Sequence, residues 1–160
     1  FSVANRGAVM REGVLQETGT LTELFRKPCN EFVARFMSCE NIYEGEVVAD
    51  ARKPDRTTLK VGRTQFVVPG CFEGKVKFIV RPENIRLSRS RADLAEGDTA
   101  LELRLARATD CGVYVRVELD GAMPLMSTVS HAAFGELRAE VGDTLVATIR
   151  RGAVHVLGQA

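Results

Sequence analysis

Cysteine and histidine are the side chains of this chain best suited to metal binding, redox chemistry or nucleophilic catalysis. The sequence contains four cysteines and two histidines: Cys29, Cys39, Cys71, Cys111, His131 and His155. The cysteines form no C-x-x-C pair, whereas zinc sites need ligands that are clustered more closely than these. We therefore predict no metal site and four free thiols, buried or half-buried, in a reducing and hence cytosolic compartment.

Neither histidine lies in a pattern that predicts catalysis. His155 points to the opposite face of a strand from Val154 and Val156, and we expect it to have a structural or surface role. His131 opens a predicted helix and is expected to be exposed. The sequence also lacks the motifs G-x-x-x-x-G-K-[ST], G-x-G-x-x-G, G-x-S-x-G and H-E-x-x-H. No catalytic residue is therefore predicted in this chain.

The charge balance of the chain limits its partners. Its 160 residues include 22 lysines and arginines and 21 aspartates and glutamates, which gives a net charge of +1. A large nucleic-acid footprint or a polybasic membrane patch would need a clustered excess of basic residues. No apolar run approaches the ~20 residues of a membrane span, and no signal-peptide pattern is present. The length fits one domain, or one domain with a fragment of another.

The first 40 residues are predicted to combine two short strands with two short helices. The stretch GAVMREGVLQETG is typical of two strands joined by a turn. A helix in TLTELFRK can be capped by Thr20 or Thr22 and is stopped by Pro28. A second helix, in NEFVARFM, can be capped by Asn30. A strand pair so close to the start of the sequence normally packs against an earlier segment, so we expect unpaired strand edges.

From residue 41 onward, apolar residues recur with period two, which indicates strands. In GVYVRVELD one face is predicted to hold Val113, Val115, Val117 and Leu119. One helix is predicted in SHAAFGELRAEVGD, capped by Ser130 and ending near Gly142, while ARKPDR and SRSRADLAEGD are predicted surface segments. Many short strands with tight turns predict a mainly β fold, a small closed or partly closed OB-like barrel.

Four motifs, taken in order, resemble the carboxyl-terminal third of the ATP-binding subunit of ABC importers. Their residues are Ala8, Val9, Met10, Gly13, Gln16 and Gly19; Asn30 to Phe36; Asn41, Tyr43, Gly45 and Val47; and Val80, Arg81, Pro82, Glu83 and Ile85. The resemblance implies that residues 1–40 are the end of a nucleotide-binding domain and residues 41–160 the OB-like regulatory domain called TOBE. It also implies that this chain does not hydrolyse ATP by itself, because ATP and Mg²⁺ would bind the rest of the parent subunit.

The end of the chain is similar to the molybdate, tungstate and sulfate branch of that family. The similarity rests on GVYVRVELDGAMPLMSTVSHAAFGEL followed by VGDTLVATIRRGAVHVL. It implies a regulatory and dimerising domain of an oxyanion importer, able to sense the transported solute. It further implies three protein partners: a second copy of the chain, the ATPase domain and a membrane permease. Such a complex is cytoplasmic and peripheral at the inner face of the cell membrane.

In relatives that sense their solute, the resemblance implies an oxyanion held where two regulatory domains meet. The candidate ligands in this chain are Ser127, Thr128, Ser130, Arg150 and Arg151. Hydroxyl, backbone N–H and guanidinium groups can supply charge-assisted hydrogen bonds to such an ion. The other interpretation is that Ser130 only caps a helix and that the two arginines are solvated.

The motif Arg81-Pro82-Glu83 also has two interpretations. It is either a turn held by a surface ion pair or a backbone hydrogen bond, or a contact with a partner chain. We expect the first, because exposed ion pairs are common and contribute little stability.

Other functions are compatible with the same sequence. The alternatives are the same role in a sugar, polyamine or iron importer, or a freestanding OB-type module that binds an anion or nucleic acid. Single-stranded nucleic acid is bound by exposed aromatic residues among lysines and arginines. The chain has only two tyrosines and no tryptophan, so we predict no nucleic-acid partner.

Overall fold

A computed structural model of the chain describes residues 4–48, 55–91 and 94–159. Its first part is an antiparallel hairpin followed by two short helices. These elements are β1 (Arg6–Arg11), β2 (Val14–Thr20), α1 (Leu21–Arg26) and α2 (Glu31–Phe36). Val9, Leu24 and Val33 form a small core of their own between them. Within the described residues β1 and β2 pair only with each other, so each strand keeps an unpaired edge.

Both helices begin at predicted capping residues. The Thr20 hydroxyl accepts a hydrogen bond from the Glu23 N–H at 3.2 Å, and the Glu23 carboxylate accepts one from the Thr20 N–H at 2.8 Å. Asn30 Oδ1 accepts a hydrogen bond from the Val33 N–H at 2.9 Å. These side chains satisfy backbone donors that the first turn of a helix leaves unpaired. They therefore fix the start of two helices that are only six residues long.

Two five-stranded antiparallel sheets and a third helix form the rest of the described molecule. Their elements are β3 (Ile42–Val47), β4 (Arg56–Val61), β5 (Thr64–Pro69), β6 (Lys75–Val80), β7 (Ile85–Ser88), β8 (Thr99–Asp110), β9 (Val115–Asp120), β10 (Leu125–Val129), α3 (His131–Leu137), β11 (Thr144–Ile149) and β12 (Val154–Gln159). The sheet orders are β12-β6-β3-β4-β5 and β10-β9-β8-β11-β7. The predicted mainly β, OB-like fold is confirmed.

A single large hydrophobic core is shared by the two sheets. Phe66 and Phe78 are fully buried in the first sheet, with ring centroids 5.0 Å apart. Leu103 and Leu145 are fully buried on adjacent strands of the second sheet and belong to the same core. Burial of these large side chains is the main favourable contribution to folding.

The second sheet curls until its two end strands, β7 and β10, approach each other. Ser127 on β10 bridges the gap, because its hydroxyl lies 3.2 Å from the Ile85 carbonyl oxygen and 3.3 Å from that of Pro82. A side chain thus links two strands that share no backbone ladder.

Asn41 joins the two sheets at the start of β3. Its side chain is buried, and Nδ2 donates hydrogen bonds to the carbonyl oxygens of Val80, at the end of β6, and of Met126 on β10. The residue therefore connects three parts of the molecule at one point: residues 21–40, called the helical segment because they contain α1 and α2, the first sheet and the second sheet.

Two local predictions are wrong. Helix α3 ends at Leu137 rather than near Gly142, because Arg138 adopts a left-handed conformation with φ of 45°. Val113 is 84% exposed, because β9 begins only at Val115. Most of the predicted segment ARKPDR and two residues of SRSRADLAEGD lie outside the described residues.

The prediction of four buried or half-buried thiols is wrong for three of them. All four cysteines are free, but only Cys39 is buried, while Cys29, Cys71 and Cys111 are exposed. The exposed three follow α1, β5 and β8 and lie in connecting segments outside the helices and strands. Cys39 instead belongs to a small buried cluster with Ala34 and Ile79.

Candidate functional site

The hydroxyl of Ser127 is directed into the protein. The residue is fully buried, and its Oγ lies within hydrogen-bonding distance of the carbonyl oxygens of Ile85 and Pro82. A hydroxyl has a single proton to donate, and both of these neighbours are acceptors. The proton of Ser127 is therefore used within the chain.

The other two hydroxyl candidates have different surroundings. Ser130 caps α3, since its Oγ accepts a hydrogen bond from the Ala133 N–H at 3.1 Å. Thr128 is half-buried on β10, opposite Arg116 of β9, and its hydroxyl has no hydrogen-bond partner among the described residues. Of the three hydroxyl groups, that of Thr128 is the one left without a hydrogen bond.

The two arginine candidates lie in the turn between β11 and β12. Arg150 is exposed and its guanidinium has no partner among the described residues. The Arg151 N–H donates a hydrogen bond to Asp98 Oδ1 at 3.2 Å, and its side chain covers Gly97 closely. A Cβ atom at Gly97 would lie 2.9 Å from Arg151 Cδ, so the arginine stem packs against this glycine.

Two of these candidates, Ser127 and Arg150, are related through Ile85 of β7. Ile149 is opposite Ile85 in the β11–β7 ladder, and the Ile85 carbonyl is the one that faces the Ser127 hydroxyl. Arg150 directly follows Ile149, the residue that pairs with Ile85. No hydrogen bond connects any two of the five candidate side chains within the described residues. The five side chains therefore do not form a closed ligand cluster.

The Arg81-Pro82-Glu83 motif forms the turn between β6 and β7. Pro82 opens a short 3₁₀ turn, Pro82–Asn84, and Glu83 is exposed. No ion pair joins Arg81 to Glu83, and Arg81 is buried, with 4% of its surface exposed. Arg81 therefore contacts the helical segment instead of solvent, with its guanidinium carbon 4.1 Å from the centroid of the Phe25 ring.

A groove of about 430 Å³ runs between β7 and α3. It is lined by Arg86, Leu87, Ser88, Arg89, Val129, Ala133, Glu136 and Leu137. Arg89 is fixed at its edge, since Nε donates to the Leu137 carbonyl at 2.8 Å and Nη2 donates to that of Arg138. No sequence pattern predicts this groove, because it depends on how a helix packs beside the end strand of a sheet.

Neither histidine is near a metal-binding group of residues. His131 is exposed, and its Nε2 lies 3.0 Å from Asp110 Oδ1. The pKa of the Asp110 carboxyl is lowered mainly by a hydrogen bond from the Gly112 N–H and further by the contact with His131. His155 Nε2 lies 3.2 Å from the Pro28 carbonyl oxygen, and burial lowers the pKa of its imidazole. Over the part of the chain that the structure describes, no three His, Cys, Asp or Glu side chains could together hold a metal ion.

Two ion pairs connect the helical segment to the sheets. Lys77 Nζ on β6 lies 2.6 Å from Glu31 Oε2 on α2. Arg116 on β9 binds both carboxylate oxygens of Glu40, each at 2.7 Å. These hydrogen bonds from Arg116 lower the pKa of Glu40. Together with Asn41, the two pairs hold the helices against both sheets.

Residues 78–157, half of the chain, match the family profile described as the TOBE domain. The chain belongs to the TOBE domain family. The matched region runs from β6 to β12 and contains the whole second sheet. All five candidate oxyanion residues and Arg81 therefore belong to the TOBE domain.

Several curated ATP-binding proteins of importers are similar to the chain. It is 31% identical over 157 residues to the molybdate/tungstate import ATP-binding protein WtpC of Pyrococcus horikoshii, covering 98% of this chain and 43% of the relative. It is 36% identical over 119 residues to the Fe(3+) ions import ATP-binding protein FbpC of Streptomyces avermitilis, covering 74% and 31%. The chain thus spans less than half the length of these relatives.

A solved structure shares the fold of the TOBE domain. It is that of the cytoplasmic molybdate-binding protein ModG with molybdate bound, with a TM-score of 0.63 and 18% sequence identity. The similarity covers 77% of this chain and 98% of ModG. Among the described residues, no helix combines the length and the apolar character needed to cross a bilayer.

Proposed function

We propose that this chain is the carboxyl-terminal, TOBE-containing part of the ATP-binding subunit of a molybdate or tungstate importer. The observation that carries the proposal is the similarity to WtpC, because it extends over 98% of the chain. A second WtpC, from Pyrococcus abyssi, is 29% identical over the same share of the chain. The similarity therefore includes the hairpin and helices that precede the TOBE match.

Residues 1–40 are the end of the ATP-binding domain in this proposal, and residues 41–160 are the regulatory domain. The separate core of Val9, Leu24 and Val33 supports this division. Met10, Val14 and Leu15 are each more than half exposed on the hairpin, as expected of strands that complete a larger sheet. ATP and Mg²⁺ then bind to the rest of the subunit, and the chain alone does not hydrolyse ATP.

The proposed role of residues 41–160 is to dimerise and to sense the transported oxyanion. Thr128 and Arg150 support an oxyanion site, since both lack a partner among the described residues. The single hydroxyl proton of Ser127 and the capping oxygen of Ser130 are already engaged inside one chain. The proposed site lies where two regulatory domains meet, so a second copy supplies further hydrogen-bond donors. The subunit works with a membrane permease at the inner face of the cell membrane.

Calorimetric titration with molybdate, tungstate and sulfate tests the sensing role, with sedimentation before and after each titration. We expect saturable heat only from protein that sediments as a dimer, and loss of that heat in Arg150→Met. Arg104→Met is the matched control, because Arg104 is exposed on β8 and has no partner among the described residues. A folded dimer that gives no heat with any of the three oxyanions contradicts sensing.

ATP binding tests the assignment to an importer subunit. The complete polypeptide that carries this chain is expected to bind and hydrolyse ATP, whereas the 160-residue protein is expected to do neither. A complete polypeptide that binds no ATP contradicts the assignment, whatever the result with oxyanions.

The same architecture in an iron or polyamine importer is the second candidate. It is supported by the 36% identity to FbpC and by 28% identity over 163 residues to the spermidine/putrescine import ATP-binding protein PotA of Roseobacter denitrificans. An ATP-hydrolysing complete subunit whose regulatory domain ignores all three oxyanions favours this second candidate.

A further inference from the structure

Arg81 is a buried arginine with an unsatisfied edge. Only 4% of its surface is exposed, and Nε and Nη2 are both buried without a hydrogen-bond partner among the described residues. Its third donor nitrogen, Nη1, lies 3.5 Å from the Met37 carbonyl oxygen, at the limit of a hydrogen bond. The central carbon of the guanidinium lies over the Phe25 ring, 4.1 Å from its centroid. None of these contacts uses the edge formed by Nε and Nη2.

Other arginines of the chain show how such donors are normally satisfied. Arg89 donates from Nε to Leu137 and from Nη2 to Arg138, so its corresponding edge is filled by two carbonyl oxygens. Arg116 donates from Nη1 and Nη2 to the two carboxylate oxygens of Glu40. Both of these side chains also retain substantial contact with solvent, whereas Arg81 is almost fully buried.

A buried guanidinium without acceptors is unfavourable, because both its charge and its N–H groups have lost water. The contact with Phe25 offsets part of the charge, yet it cannot accept the in-plane N–H bonds. The two N–H groups of this edge are parallel and match a group that presents two oxygen atoms side by side. A single acceptor of that kind would satisfy both.

We propose that the Nε–Nη2 edge of Arg81 is a receptor for an anionic group with two oxygens, a carboxylate or a small oxyanion. The site lies between the first 40 residues and the TOBE domain, and it uses none of the candidate oxyanion residues on β10 and after β11. The neighbouring carboxylates do not fill it: Glu40 is bound by Arg116, and Glu83 is exposed.

The anionic group has two possible sources. One is a free anion, which enters when the half-exposed Phe25 ring moves aside. The other is a carboxylate side chain of the rest of the ATP-binding subunit, and this source rests on the proposed function. Leu21 and Phe36 are also exposed on the helices beside Arg81, which fits a surface that another part of the subunit covers.

The free-anion source is tested with the 160-residue protein. Thermal unfolding is followed during titration with acetate, sulfate or molybdate, against chloride at equal ionic strength. Occupancy by a free anion raises Tm in a saturable way in the wild type and in Arg104→Met. The rise in Tm is lost in Arg81→Met. In Arg81→Lys the apparent affinity for the anion is reduced at least tenfold, because lysine keeps the charge but lacks the two parallel N–H donors. The ¹H–¹⁵N resonance of Arg81 Nε in the wild type shifts with the same midpoint, which gives a readout that needs no variant.

The carboxylate source is tested by comparing two proteins. If the 160-residue protein ignores all three anions, Arg81→Lys and Arg81→Met should lower Tm more in the complete subunit than in the 160-residue protein, by at least ~4 °C. Arg104→Met should lower it equally in both. The proposal is overturned if no anion changes the Tm of the 160-residue protein and the Arg81 variants lower Tm equally in both proteins. Arg81 would then bind only water or act only through packing. ATP binding by the complete subunit, measured separately, shows whether the proposed function has failed instead.

Discussion

Asn41 and Met126 hydrogen-bond to each other in both directions, although 85 residues separate them in sequence. Asn41 Nδ2 lies 2.7 Å from the Met126 carbonyl oxygen, and Oδ1 lies 2.8 Å from the Met126 nitrogen. The asparagine amide thus replaces one backbone pair of a β-ladder at the place where the two sheets meet. The backbone N–H and C=O of Met126 are both buried there. The side chain of residue 41 must therefore supply one acceptor and one donor.

Removing that amide should be strongly destabilising. We expect Asn41→Ala to lower the free energy of unfolding by about 2–4 kcal/mol, because it leaves buried backbone groups of Val80 and Met126 unpaired. Asn41→Asp should also destabilise the protein, since a carboxylate cannot donate to either carbonyl. Urea unfolding measures the effect, with Asn84→Ala on the exposed turn as the control. An Asn41→Ala protein as stable as the control would show that the joint contributes nothing.

Barrel closure depends on the Ser127 hydroxyl. Ser127→Ala is expected to lower the free energy of unfolding by about 1–2 kcal/mol, because the Ile85 carbonyl loses its donor in a buried setting. Thr128→Ala, one position further along β10, should change stability by less than ~0.5 kcal/mol. If chemical denaturation ranks the two variants in the opposite order, Ser127 does not close the barrel.

The Arg116–Glu40 pair should make stability sensitive to acid. The pKa of Glu40 is lowered in the folded state, chiefly by hydrogen bonds from Arg116. A lowered carboxyl pKa stabilises the fold above the unfolded value, about 4.3 for glutamate, and this contribution is lost as pH falls through the folded pKa. Arg116→Met should therefore be less stable than the wild type at neutral pH, and this difference should shrink below about pH 4. A difference that stays constant down to acid pH would contradict the assignment; Arg104→Met controls for the loss of one arginine.

His155 should titrate below the ordinary histidine range. Burial is the main cause of its lowered pKa, although the hydrogen bond to Pro28 acts in the opposite direction. Since the folded pKa lies below the unfolded value of about 6.5, stability is retained above that value and falls as pH decreases through the window between the two. NMR titration of the imidazole should give a midpoint below 6.5, and His155→Gln should flatten the pH dependence of unfolding in that window. A midpoint at or above 6.5 would show that the ring is charged as easily as in water.

Local sequence patterns predicted most of the elements in this chain. Thr20 and Asn30 were recognisable as caps because their hydrogen bonds are made within three residues. The strands of the barrel were recognisable because alternating burial leaves a period of two in the sequence. The end of α3 was not recognisable in the sequence, because Arg138 occupies a left-handed conformation that is usually adopted by glycine or asparagine.

The site was harder to predict, because its contacts join distant residues. Nothing in the sequence around Arg81 indicates that its guanidinium is buried under Phe25, 56 positions earlier in the numbering. The roles of Ser127 and Asn41 likewise depend on backbone carbonyls that any residue could provide. A resemblance to a family identified the motif positions, but only the packing of the helices and sheets gives these side chains their partners.

The double hydrogen bond of Asn41 also sets an order for the assembly of the molecule on the ribosome. Its partner Met126 is added 85 residues later, which at 5–20 residues per second takes roughly 4 to 17 s. Until then the helices before Asn41 can form but lack this link to the second sheet. The hairpin and helices therefore complete their contacts with the second sheet only after most of the remaining chain has been made.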